Sequence, residues 1–213
     1  KDLVKMVFGD HNIPFFLDEK RSLSHHPLAE LIRSAFDMVL THFGFDSVFR
    51  YLKTDLIPVK RELVDKLENY VLASGIRGER WILPEPWRYT GGFLSDNLEG
   101  TVSVEACGDE MDLFRKQAMA SFSRFYEELT QNHNGHTAKD ISMAVYNLLM
   151  NLDVPKTLSR WQKDCENQGD LIAALDHGGV WDKVIEILEQ AVEILGDHPC
   201  SLKTYSLLLN AGL

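Results

Sequence analysis

Long apolar runs are missing from the 213 residues. No stretch is long enough to span a bilayer as a helix, and none has the pattern of a secretory leader. Cysteine is scarce. Cys107, Cys165 and Cys200 are odd in number and far apart, which argues against a disulfide framework and for a reducing cytoplasm. Each is expected to be a buried or half-buried thiol. Positive charge is also short, with 22 Lys and Arg against 32 Asp and Glu, for a net of −10. Nucleic-acid affinity rests largely on neutralising phosphates, so such a chain makes a poor autonomous DNA binder. The deficit is uneven: residues 1–105 carry a net of −3 and residues 106–213 a net of −7. Were the chain to work on DNA, it would need more basic parts of a larger protein beside it, and the less acidic first half would be the side expected to face the DNA.

Catalytic signatures are lacking too. There is no GxxxxGK[ST] loop to cradle phosphates, no acidic strand end of the Walker type and no GxSxG elbow. His133 and His136 form HxxH among Asn132, Asn134 and Gly135, which reads as a polar turn rather than a zinc site. His25 and His26 precede Pro27 and read as the start of a helix. Asp109 and Glu110 read as first-turn acids favoured by the helix dipole. No repeat of 20–50 residues suggests a solenoid. Neither a catalytic residue, a cofactor site nor a metal site is assigned.

What is present is helical periodicity. Leu28, Leu31, Ile32, Ala35, Phe36, Val39, Leu40 and Phe43 fall on one stripe, with Pro27 at the first position and Gly44 expected as the left-handed stop. A second helix is expected over about Asp46–Lys53, and a third after Pro58, carrying Leu63, Val64, Leu67, Tyr70 and Val71 and ending at Gly75. Further on, Met111, Phe114, Ala118, Phe122, Phe125 and Leu129 predict a helix from about Asp109 to Gln131. Thr137 and Asp140 resemble a capping box opening another, over Ile141, Ala144, Val145, Leu148 and Leu149. Pro155 starts one carrying Leu158, Trp161 and Cys165. The last two run through Val184, Ile187, Leu188, Ala191 and Leu195 to Gly196, and through Tyr205, Leu208 and Leu209. Near the start, Leu3, Val4, Val7 and Phe8 read as the end of a helix before Gly9. Ile13–Leu17 reads as a short strand, and Thr101–Val104 as a further strand candidate. A lone strand cannot complete its own ladder, and the chain opens on Lys1 rather than Met. It is therefore expected to be a piece of a longer protein.

Between Gly75 and Gly108 the period disappears. The segment holds six glycines, two prolines and the aromatics Trp81, Trp87, Tyr89 and Phe93. Two readings stand. Arg77, Arg80 and Arg88 could meet phosphates while the rings stack on bases. Alternatively the loop packs on its own tryptophans, which is favoured because clustered Trp in a non-basic chain usually serves packing. The densest positive charge lies at Arg50, Lys53, Arg77 and Arg80. Arg50 and Lys53 are three apart on one helix, so they share a face, and pairing with Asp46 or nearby acids competes with DNA contact.

The strings IPFFLDEKRSLSHHPL, FDMVLTHFGFDSVFRYLKT and LENYVLASGIRGERW carry a resemblance. From Ile13 to Trp81 the chain resembles the B subunit (AddB/RexB) of the bacterial AddAB (RexAB) ATP-dependent helicase–nuclease. From Phe114 to Leu213 the likeness is looser, in helix spacing and a closing LLLNAGL. The resemblance implies a mostly α, helical bundle-like domain with one short β-strand near the N-terminus, inserted into a helicase-like protein of the P-loop superfamily 1 type. Residues 1–24 would end the interrupted motor-like domain, and 25–213 would form the helical insertion, with an irregular loop at 76–108. It further implies the A subunit of the same helicase–nuclease complex as partner, DNA reached through the parent complex, no membrane, and a cytoplasmic location. The parent family is a hydrolase acting in double-strand-break resection, in which AddB/RexB reads signals in the unwound strand while its partner hydrolyses ATP. Its ATP and Mg²⁺ sites, nuclease carboxylates and iron–sulfur cluster lie outside the matching region, and the three cysteines here do not follow the cluster's pattern. The competing reading is a stand-alone helical protein-interaction scaffold with no DNA role. A small metal-dependent hydrolase rests only on scattered His and acids.

Overall fold

Why helix α1 (Pro27–Leu40) starts where it does is visible in two residues. The Leu28 N–H donates to His26 Nδ1 at 3.0 Å, and Pro27 fills the first position, where its missing N–H costs nothing. The computed structural model describes residues 7–8, 23–87, 104–131 and 135–213. Among these it forms eight α-helices and a two-stranded sheet. Residues 7–8 are helical, as the spacing around Val7 and Phe8 predicts, whereas the Ile13–Leu17 strand, Arg88, Tyr89, Phe93 and His133 lie outside the described residues.

The apolar stripe of α1 is buried from Leu28 to Val39, but Leu40, expected on it, is 40% exposed at the helix's last position. Gly44 is a second correction. The left-handed conformations fall on His42 and Phe43 (φ 51° and 61°), while Gly44 has φ −53° and caps the next helix, α2 (Phe45–Leu52). Burial decides the first of these facts, since the Phe43 ring packs against Phe122 and Tyr126 at 5.7 and 5.2 Å. Close approach decides the second, since a Cβ on Gly44 would meet Thr41 Oγ1 at 2.7 Å. Helix α3 (Arg61–Ser74) ends at Gly75 in the left-handed region, as read from the sequence.

Helix α4 (Val104–Thr130) begins about a turn earlier than expected. Val104 is therefore helical rather than part of a strand, and 101–103 lie outside the described residues. The capping box forms: Thr137 Oγ1 accepts the Asp140 N–H at 3.2 Å and Asp140 Oδ2 accepts the Thr137 N–H at 2.9 Å, opening α5 (Ala138–Asn151). After α6 (Val154–Gln168), helix α7 spans Leu171–Leu195, twice the length that the periodicity suggests. Asp170 caps it by accepting the Ala173 N–H at 3.0 Å. Its Gly178 lies so close to α6 that a Cβ there would meet Gln162 Oε1 at 3.0 Å. Helix α8 (Leu202–Gly212) closes the fold.

Strands β1 (His136–Thr137) and β2 (Pro199–Cys200), which pair antiparallel, have no counterpart in the hydropathy pattern. The core centres on Phe36, Phe122, Phe125 and Tyr205, from α1, α4 and α8. Buried Ser142 of α5 shares a hydrogen bond with the Tyr205 hydroxyl, so the polar group at this junction is satisfied. No helix among the described residues is long and apolar enough to cross a membrane.

Candidate nucleic-acid interface

The four basic residues singled out in the sequence fall into two settings. Arg50 of α2 and Lys53, which caps its C-terminus, line a cleft of about 800 Å³ with His25, Glu30, Phe45, Asp46, Asp55 and Glu68. Arg50 Nη1 donates to Glu30 Oε1 at 2.9 Å and its Nη2 to Asp37 Oδ2 at 2.6 Å. The hydrogen bond to Asp37 leads in raising the Arg50 guanidinium above its ordinary range. Lys53 bonds Glu68, faces Asp65 at 3.8 Å and lies 5.9 Å from the Phe49 ring centre. Each cation thus answers two carboxylates, and neither pairs with Asp46. The Arg50 pairs are exposed and the Lys53–Glu68 pair is half-buried, and together they offset the charge that a phosphate would need.

Arg77 and Arg80 stand differently. Both are exposed, and neither has an ion-pair partner among the described residues. They belong to a 3₁₀ turn, Gly78–Trp81, and its cap, which follow the left-handed Gly75 and a buried Ile76. Beneath this surface the loop is anchored by aromatics. Trp81 is 1% and Trp87 2% exposed, and their rings meet edge to face at 5.0 Å. Trp81 also meets Phe49 at 5.8 Å, while Trp87 stacks on Tyr70 at 6.1 Å. Burial takes these two tryptophans out of any base-stacking role.

The group that holds the loop is one that the sequence reading misses. Arg115 of α4 is 1% exposed. Its Nη1 donates to the carbonyls of Arg80 and Leu83 at 2.6 and 2.8 Å. Its Nη2 donates to Glu85 O at 3.3 Å and to Asp112 Oδ1 at 2.7 Å. The guanidinium also lies over the Trp87 ring at 4.9 Å. Asp112 Oδ1 accepts the Trp87 N–H at 3.1 Å, and its other oxygen pairs with Lys116 at 2.7 Å. Burial works to raise the Asp112 carboxyl, but Lys116, the Trp87 N–H and Arg115 together hold it below the usual range. Burial likewise lowers Arg115, against the pull of Asp112. A signal is present: Arg115 stands on the stripe of Met111 and Ala118, with an acid three residues before it.

The other polar candidates stay apart. His136 is buried, with Nε2 2.9 Å from the Leu129 carbonyl. No group of three His, Cys, Asp or Glu side chains among the described residues gathers as a metal site.

No family model matches the chain. Curated relatives do. The chain is 43% identical over 214 residues to a protein of Pelotomaculum thermopropionicum, with 99% of the chain covered. It is 41% identical to one of Desulforamulus reducens and 41% identical to one of Moorella thermoacetica, each over the whole chain. All three are named as the B subunit of an ATP-dependent helicase/deoxyribonuclease, and the chain spans about 18% of the length of each. Over its whole length, then, the chain belongs to the AddB/RexB family of ATP-dependent helicase/deoxyribonuclease B subunits, matching one region of those relatives.

Proposed function

We propose that this chain is a non-catalytic helical domain of a helicase/deoxyribonuclease AddB/RexB protein, serving DNA double-strand-break resection and recombinational repair. The observation that carries the reading is identity of 37–43% along the whole chain to proteins so named. In this reading the domain is inserted in the helicase-like half of its parent, the A subunit of the complex is the partner, and work on DNA proceeds in the cytoplasm. ATP and Mg²⁺ belong to other regions, because no phosphate-binding loop is present in the sequence. The iron–sulfur cluster does not fit this chain, since such clusters take four thiolates and only three cysteines exist. Cys165 lies on α6 and Cys200 on β2, both as free thiols.

Within the domain the DNA-facing element is the loop bearing Arg77 and Arg80, supported by their exposure and by their lack of ion pairs among the described residues. Arg50 and Lys53, the other residues expected at DNA, are better suited to holding α2 against α1 and α3. In the intact complex, Arg77→Glu with Arg80→Glu should weaken DNA binding and flatten its salt dependence, by roughly 0.9 in the log–log slope for each phosphate no longer neutralised. Salt-titrated affinities unchanged by that pair would reduce the loop to packing. The second reading, a scaffold without DNA contact, is favoured by the acidic balance and the neutralised cleft at Arg50 and Lys53.

A further inference from the structure

Arg80 is held through its backbone while its side chain stays at the surface. Its carbonyl receives two donors, Arg115 Nη1 at 2.6 Å and Trp87 Nε1 at 2.8 Å. The same guanidinium reaches Leu83 O and Glu85 O, so one side chain ties three carbonyls of the loop to α4. Trp87 closes the arrangement, its N–H on Asp112 and its ring under the guanidinium. At 1% exposure Arg115 cannot reach a phosphate itself. Arg115 Nε finds no partner among the described residues, so the side chain gives up one of its five donors to reach these carbonyls.

We propose that Arg115 is the positioning residue for phosphate contact by Arg77 and Arg80: by fixing the Arg80 carbonyl it presets the surface from which the two side chains reach DNA. The proposal rests on the reading that this loop faces DNA, and adds to it the residue that prepares the loop. A loop ordered in advance does not lose that conformational freedom on binding, so affinity is gained without a further contact. Lysine cannot replace the guanidinium here, because an ammonium group lacks the planar fork that spans carbonyls on both sides.

The test compares Arg115→Lys with Arg77→Gln/Arg80→Gln in the full-length protein, in complex with its partner. The readouts are amide exchange over residues 80–87 and salt-titrated binding of a fluorescent oligonucleotide of about 30 nucleotides, long enough for many phosphate contacts, as single strand and as duplex. For Arg115→Lys we expect faster exchange at 80–87 and affinity lower by about three- to tenfold at every salt concentration, with the slope against log salt unchanged. The Arg77→Gln/Arg80→Gln protein should lose both affinity and slope while exchange stays near wild type. Trp87→Phe, which removes one donor from the Arg80 carbonyl and keeps an aromatic ring, should show a smaller version of the Arg115→Lys effect. Faster exchange with unchanged affinity in Arg115→Lys would leave Arg115 a purely structural residue and overturn the proposal. A slope reduced as much as in the double variant would also overturn it, by making Arg115 a contact. If the double variant itself binds DNA normally, the DNA-facing reading fails first, and the exchange data separate that result from a failure of Arg115 to hold the loop.

Discussion

Phe36 stands where α1, α4 and α8 meet, 1% exposed, with Phe125 and Tyr205 each at 5.8 Å. Truncating it removes a ring that its neighbours on the other helices cannot replace by closing in. Phe36→Ala should therefore cost about 3–5 kcal/mol in chemical denaturation, and a loss under about 1 kcal/mol would show that this junction is not the core. Its place is legible in the sequence because an apolar stripe depends only on spacing. Arg115 is harder to read, since a charge is assumed to face water until the acceptors that justify its burial are known. Those acceptors are main-chain carbonyls of a loop about thirty residues away, invisible to any local pattern. The sequence misleads at Gly44 for a related reason, because φ at 42 and 43 follows from where the Phe43 ring is buried.

Between elements, a pH-dependent contact joins the start of α1 to α7. His26 Nε2 lies 3.0 Å from His177 Nδ1. The other His26 nitrogen accepts the Leu28 N–H, so the proton sits on Nε2 and is donated to His177. Burial, then the facing His177, lower His26 from 6.5 to about 4, with Asp176 opposing them. The unfolded chain takes up its proton near 6.5, so the stabilisation is complete above that pH and is lost as pH falls from 6.5 toward 4. His26→Asn keeps a capping acceptor and removes the titration. In urea melts at about pH 7.5 and about pH 5, either side of the unfolded value, wild type should lose more stability than this variant. Equal losses would exclude His26 as the source. Helices with a clear stripe and cap, such as α1 and α5, are legible as elements. The first half of α7 is not, since glycine is a poor helix former and Gly178–Gly179 weakens the local signal, while packing against α6 holds the helix continuous. The two-residue strands carry too little pattern to be seen at all.

For the molecule as a whole, composition and family point in different directions. A chain with a net charge of −10 repels phosphates, whereas the family name speaks of a deoxyribonuclease. The isolated chain should hydrolyse neither ATP nor DNA in the presence of Mg²⁺, and should bind DNA no better than about 10 μM at physiological salt. Turnover above a buffer blank, or a tighter fluorescence-anisotropy titration, would show that the domain works alone. The pairing of β1 with β2 has a mechanical consequence. It brings His136 beside Cys200, so the chain leaves for α5, α6 and α7 and returns at the same place. Tension carried from α4 toward α8 crosses two residue pairs instead of running through the roughly sixty residues between them. While those pairs hold, the α5–α7 unit is shunted out of the line of force. Once they part, the load passes into α5–α7, which still pack on α4 and α8 through the shared core.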